Sequence, residues 1–276
     1  MSLLLAGANL PAATHYVSLG STNSTPPFTN WVTAANNIQD AVAAASAGDD
    51  VVVTNGVYAG GVAVTNPLVL TSVNGAQFTV IDGGATNQCA SLTEGASLTG
   101  FTLTNGYAND GNGGGVWCAS TNASLTNCTL TGNSATNGGG AYNGTLYNCT
   151  LTGNSAHEGG GAFIVTLFNC TLTGNSAIWG GGAHRSTLNN CTLSGNSANN
   201  DGGGAHAGML NNCTLSGNSA SRGGGAYSAT LNNCTLSSNS AARGGGTYAG
   251  TLNNCTLSSN SADQFGGGAS FDTLNN

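Results

Sequence analysis

"GGGAHRSTLNNCTLSGNSA" runs from Gly180 to Ala198 and returns almost unchanged as "GGGAHAGMLNNCTLSGNSA" from Gly202 and "GGGAYSATLNNCTLSSNSA" from Gly223. Cysteine marks the beat. Cys128, Cys149, Cys170 and Cys191 lie 21 residues apart, Cys213 follows after 22, and Cys234 and Cys255 after 21 each. A repeat near that length signals a solenoid. No 3.6-residue period runs through it. Each unit instead carries short alternating runs, Gly-rich bends and Asn-Ser turns, which predict three short strands per turn of a parallel β-helix.

Alternation assigns the faces. In "NCTLS", Cys191 and Leu193 stand two apart and share one side of a strand, while Asn190, Thr192 and Ser194 share the other. Leucine returns at Leu103, Leu130, Leu151, Leu172, Leu193, Leu215, Leu236 and Leu257, so this side is predicted to face inward. A second column runs from Leu98 through Leu188 to Leu274. Phe101 holds the cysteine position in the first clear unit, "GFTLTNG", so the slot is apolar and the cysteines are read as packing. Disulfides fit poorly, because in-register parallel strands hold their Cβ atoms about 4.8 Å apart, beyond the usual ~3.5–4.5 Å of a bridge. Asn133, Asn154, Asn175, Asn196, Asn218, Asn239 and Asn260 recur at a bend, where an amide can donate to one rung and accept from the other. One rung buries perhaps four apolar side chains, each worth roughly 1.5–3 kcal/mol. Ordering its backbone costs about 1–2 kcal/mol per residue, so a rung is stable only between neighbours.

The totals narrow the function. The chain has 276 residues, 45 Gly, no Lys, three Arg and a formal charge of -7. That balance argues against nucleic acid and anionic membranes as partners. No stretch has the roughly 20 apolar residues of a spanning helix, so no membrane insertion is expected. Residues 1–13 read as a candidate signal-peptide remnant, 14–50 as an N-terminal cap, and 51–276 as the solenoid, with regular 21–22-residue repeats from about 113. Trp31, Ala34, Ile38, Val42 and Ala45 fall on one helical face, which predicts a capping α-helix over about 30–47, with Thr29 or Asn30 at its start. About nine turns are expected from Val51, a rod of roughly 45 Å. The far end, "DTLNN", has no lid, so the chain is expected to continue into further domains or to stack end to end through an open last rung.

"IQDAVAAASAGDDVVVTNGVY" (Ile38 to Tyr58) resembles the opening of pectin-lyase-like right-handed parallel β-helix proteins. The recurrent "GGGAY" with "LSGN" or "LTGN" resembles the GGA[ILV] and FxxN repeats of polymorphic outer-membrane proteins. The first resemblance implies a right-handed helix, and the second implies a surface adhesin.

Two columns are candidate binding surfaces for a surface glycan or a protein. After each Gly run a small residue is followed by a ring: Trp117, Tyr142, Phe163, His184, His206, Tyr227 and Tyr248. With the small residue inward, the rings form an outward stripe suited to sugar faces or a partner. Just before the Gly run the residue varies, and here Glu158, Trp179, Asp201, Arg222 and Arg243 stand out. His184 and His206 are read as stacking rings, since no acid or thiol shares their column. No catalytic residue, metal ligand or cofactor is assigned, because the ten carboxylates occur singly in the repeats, rungs apart. The reading is an exported, extracellular or cell-surface spacer or adhesin-like rod. The alternatives are a polysaccharide lyase or hydrolase on the same fold, and an ice-binding solenoid using the ranks Thr129/Thr131, Thr150/Thr152 and their successors.

Overall fold

The computed structural model describes residues 11–275. Residues 1–10 of the candidate signal remnant lie outside that range.

The chain winds into a parallel β-solenoid whose strands form four sheets, named I to IV in the order a turn visits them. In the turn that opened the sequence reading, sheet I takes Thr187–Asn189, sheet II Thr192–Ser194, sheet III Ser197–Asp201 and sheet IV Ala205–His206. Sheet I has 12 strands, sheets II and IV have 10 each and sheet III has 8. Twelve strands in one sheet make about eleven turns, more than the nine expected, because the first turns lack the cysteine phrase and an extra strand precedes them.

The expected three strands per turn hold only at the start. The first two turns use Asp50–Val53, Gly56–Ala59 and Val62–Val64, then Val69–Ser72, Thr79–Asp82 and Ala90–Leu92. From Tyr107–Asn112 onward each turn gains a fourth. The reason lies in the bends. Asn190, Gly195, Gly202 and Ala207 have φ of +55°, +61°, +68° and +47°, one left-handed residue between each pair of successive strands. Four sharp corners divide a 21-residue turn into four short sides.

Like residues meet like at every rung. Leu188 pairs with Leu167 and Leu210, and Leu193 pairs with Leu172 and Leu215, with all of these side chains fully buried. The cysteines point inward beside them. Cys128 to Cys234 are buried to 2% exposure or less, and Phe101 in the same slot is at 0%. All nine cysteines are free thiols.

Buried asparagines form a continuous ladder. Asn154 Nδ2 donates to Leu130 O at 2.9 Å and to Asn175 Oδ1 at 3.0 Å, and the Asn154 backbone N–H donates to that same oxygen at 3.0 Å. The pattern repeats from Asn133 to Asn260, so an otherwise costly buried amide is satisfied along the axis.

The cap differs from the expected single helix. Strand β1 (Thr14–Val17) adds a rung by pairing with Asp50–Val53. Helix α1 spans only Ile38–Ala44, after a 3₁₀ turn at Trp31–Thr33. The helical pattern breaks because Ala35 is taken by the edge of β1: Ala35 N donates to Tyr16 O and Ser18 N donates to Ala35 O, both at 2.8 Å. Asn30 caps the 3₁₀ turn and Asn37 caps α1. Trp31 leaves the predicted apolar face, is 46% exposed and packs on Tyr16. The lid role holds, since the Gln39 amide pairs with both Ala63 N (2.8 Å) and Ala63 O (3.3 Å), covering the free edge of Val62–Val64.

Asp49 fastens this cap. Its carboxylate accepts from Ala13 N at 2.7 Å and Ser46 N at 2.8 Å and lies 3.2 Å from His15 Nε2. The Ser46 and Ala13 amides hold its pKa below the ordinary 3.8, helped by His15 and against burial. A depressed carboxylate contributes stability that is full above its unfolded pKa and is lost as pH falls through the folded value. Asp49→Asn is therefore expected to lower the melting temperature at neutral pH and to flatten the acid limb of a melting-temperature profile below about pH 4. An unchanged acid limb contradicts this role.

Candidate functional site

Sheet IV carries the ring column. Ala141, Ala162, Ala183, Ala205 and Ala226 are buried, so the next residue on each strand turns outward. The rings lie on the outer face of the sheet and in contact with one another. The rings touch in sequence along the axis, stacked at centroid separations of 5.6 Å (Tyr142–Phe163), 4.5 Å (His184–His206) and 5.6 Å (Tyr227–Tyr248), and edge-on at 5.2 Å (Phe163–His184) and 5.1 Å (His206–Tyr227). Each ring from Tyr142 to Tyr248 is thus engaged by its neighbours, by a face in the stacked pairs and by an edge in the T-shaped ones. Phe163 and His184 are only 6% and 4% exposed. Trp117 is in register with Tyr142, yet the ring contacts begin at Tyr142. They end at Phe271, 5.4 Å from Tyr248, a residue the sequence reading missed because Ser270 holds the column position there.

The variable column is also in register. Asn137, Glu158, Trp179, Asp201, Arg222, Arg243 and Phe265 follow one another along the edge of sheet III. Two of its side chains, Glu158 and Arg222, reach the ring column. Arg222 makes a bidentate pair with Asp201, both bonds 2.8 Å, and stands 4.9 Å from the Tyr227 ring centre. That pairing raises the Arg222 pKa and uses both Asp201 oxygens. Arg243 donates Nε–H to Gln264 Oε1 at 2.8 Å and lies 5.8 Å from the Phe265 ring. Trp179 meets His157 edge-on at 4.7 Å.

No acid shares the histidine column, but one reaches it from the neighbouring column. Glu158 reaches across from its own column to put Oε2 3.3 Å from His184 Nδ1. The contact lacks hydrogen-bond geometry, and the buried Nδ1 atoms of His184 and His206 both stand without a hydrogen-bond partner. Burial, aided by His206 and Arg185, pushes the His184 pKa down to about 3, so the imidazole is neutral at ordinary pH. Burial also lowers His206, against the opposing pull of Asp201 and Glu158.

The other candidate surfaces are simpler. Thr and Ser ranks face outward on sheet II, with Thr173 and Ser194 hydroxyls 3.0 Å apart, bonding rung to rung. On sheet I a second asparagine ladder, Asn189, Asn211, Asn232, Asn253 and Asn275, links side chains at 2.7–2.9 Å. The "NN" doublets held this signal, since the first Asn of each pair recurs as regularly as the second. The thiols are packing groups: Cys170 Sγ lies within hydrogen-bond reach of Leu146 O and Phe168 O, and burial pushes Cys89 and Cys118 up to about 12. Among the described residues no three His, Cys, Asp or Glu side chains surround one point as they lie, and no helix is long and apolar enough to cross a membrane.

No family model and no curated protein matches the sequence. Solved structures do. Pectate lyase Pel9A superposes with a TM-score of 0.60 at 13% identity, covering 92% of this chain and 78% of that one. The chain has the pectate-lyase-like parallel β-solenoid fold. A pectin methylesterase from carrot gives a TM-score of 0.49 at 11% identity, over 90% of this chain and 83% of that one. At such identities the likeness is one of architecture. The second resemblance, to polymorphic outer-membrane repeats, has no counterpart among these matches.

Proposed function

We propose that the chain is an exported, extracellular or cell-surface spacer, an adhesin-like rod that contacts a glycan or protein through the variable column. The observation that carries this reading is the continuity of the axial ladders. Leucines, thiols, buried amides and rings each bond or pack to the next rung without interruption through the regular repeats. Such a stack is stiff along its axis and holds its outer columns at a fixed pitch of about 4.8 Å.

The rings are engaged with one another, so contact falls to the side chains of the neighbouring column, chiefly Trp179 and Arg243. An exported site is compatible with nine unpaired thiols, because eight are buried and so sheltered from oxidant.

Immobilised glycan and matrix-protein arrays test it. The wild type is expected to be retained on at least one array, and Trp179→Ala with Arg243→Ala to weaken retention at least about tenfold, on the scale of one lost anchor residue. The melting temperature of the double variant should stay unchanged. Retention that survives the double variant removes the column from the contact. Release of unsaturated products from polyuronates by the wild type replaces the rod with a lyase.

A further inference from the structure

We propose that His184, His206 and Glu158 form a binding site for a divalent transition-metal ion of the zinc or nickel kind, on the outer face of sheet IV. Three observations converge on it. First, two imidazole Nδ1 atoms on adjacent rungs are buried and have no hydrogen-bond partner, although buried polar atoms ordinarily find one. His184 is 4% exposed, so water does not meet the need. Second, Glu158 Oε2 stands 3.3 Å from His184 Nδ1 without forming a hydrogen bond. Two ligands bound to one ion at about 2.1 Å and a tetrahedral angle lie about 3.4 Å apart, so the pair already has a ligand-to-ligand separation. Third, the His206 ring lies parallel to His184 at 4.5 Å, which brings a second imidazole to the same side.

The local chemistry favours a borderline ion. Two neutral imidazoles and one carboxylate make a donor set suited to zinc, nickel or copper rather than to calcium or magnesium. Asp201 is excluded as a ligand because both its oxygens are held by Arg222. The cysteines lie in the interior, on the opposite side of the wall. As the side chains lie, three donors do not yet surround one point. Closure needs His206, which is only half-buried, to turn its Nδ1 toward Glu158. Stacking alone does not explain the imidazoles, since Tyr142, Phe163, Tyr227 and Tyr248 fill the same column with plain aromatic rings.

That column also supplies variants that keep the fold. His184→Phe and His206→Tyr insert rings the stack already carries. Calorimetric titration of the full chain with zinc chloride is expected to show one ion per chain. Each histidine variant should weaken binding at least about tenfold, and Glu158→Gln likewise, as ligand-set changes do. Melting temperatures without metal should stay at the wild-type value or rise, while the zinc-induced rise seen in the wild type disappears. Cobalt(II) should give a tetrahedral d–d spectrum without thiolate charge transfer. Absence of zinc uptake overturns the proposal. So does uptake unchanged in the variants, which marks an adventitious ion only, or a thiolate band, which moves the metal to the cysteine column.

Discussion

Replacing Asn175 by Ala is expected to destabilise the fold by about 3–5 kcal/mol, from two or more buried groups left unsatisfied at about 1–3 kcal/mol each. The Asn175 side chain donates to Leu151 O at 2.9 Å and to Asn196 Oδ1 at 3.0 Å. Its Oδ1 accepts from both the backbone N–H and the side chain of Asn154, at 3.0 Å each. Truncation orphans Leu151 O and Asn154 N in an interior where Asn175 itself is 0% exposed. Water has no route to them, and the neighbouring rungs cannot close in without breaking their own ladders. Chemical denaturation of wild type and variant measures the loss. Asn189→Ala is the control, because its ladder is at the surface and a replaced bond there is taken over by water. Equal costs at both positions would show that the buried ladder is not a distinct source of stability.

Gly181→Ala is expected to cost about 3 kcal/mol or more, at the upper end of overpacking substitutions. A Cβ at Gly181 would run into Ser197 O and meet Gly203 O at 2.6 Å. Both are backbone atoms of the next rung, and Gly181 N is itself bonded to Gly202 O at 3.1 Å, so the strands cannot part to make room. Gly195 is the informative contrast. It has φ +61° but nothing within 4 Å of an added Cβ, so Gly195→Ala should cost only about 1–2 kcal/mol of left-handed strain. The two glycines of one repeat thus serve different needs, one close approach and the other conformation. Denaturant midpoints, or the yield of soluble protein if Gly181→Ala fails to fold, distinguish them. Similar small losses at both sites would mean that the rungs are looser than the in-register stack requires.

Much of the interior was legible in the repeat. Phe101 in a cysteine slot predicted inward thiols, and the buried cysteine column bears this out. The asparagine ladder and both leucine columns were also readable, because a period of 21 residues brings identical side chains together whatever the shape of the turn. The shape itself was less visible. Ser197–Asp201 does not alternate regularly between buried and exposed residues, and Ala205–His206 is too short to show alternation, so four sides read as three. The helix was overextended because Trp31 and Ala34 fit the helical face of Ile38, Val42 and Ala45, whereas the β1 edge claims Ala35 through hydrogen bonds. The candidate surface was half legible. Ring positions and orientation followed from the small residue beside each ring, but whether faces or edges meet solvent depends on the stacking angle. Glu158 approaching His184 was hidden for a similar reason: the two belong to different columns, and a side chain leaning from one rung to the next leaves no mark on the spacing.

Superposition of successive repeats along one axis is the premise of the ladders, the glycine clash and the histidine site alike. Pulsed electron-spin measurements between nitroxides placed at Thr129→Cys and Thr235→Cys, five rungs apart on the outer face of sheet II, test it most directly. The native thiols on that path are buried and leave the labels specific to the new positions. A single narrow distance of about 24 Å, five strand spacings, is expected. A broad distribution, or a mean well above about 35 Å, would contradict the stack, since only a chain rising faster than one strand spacing per repeat could produce it.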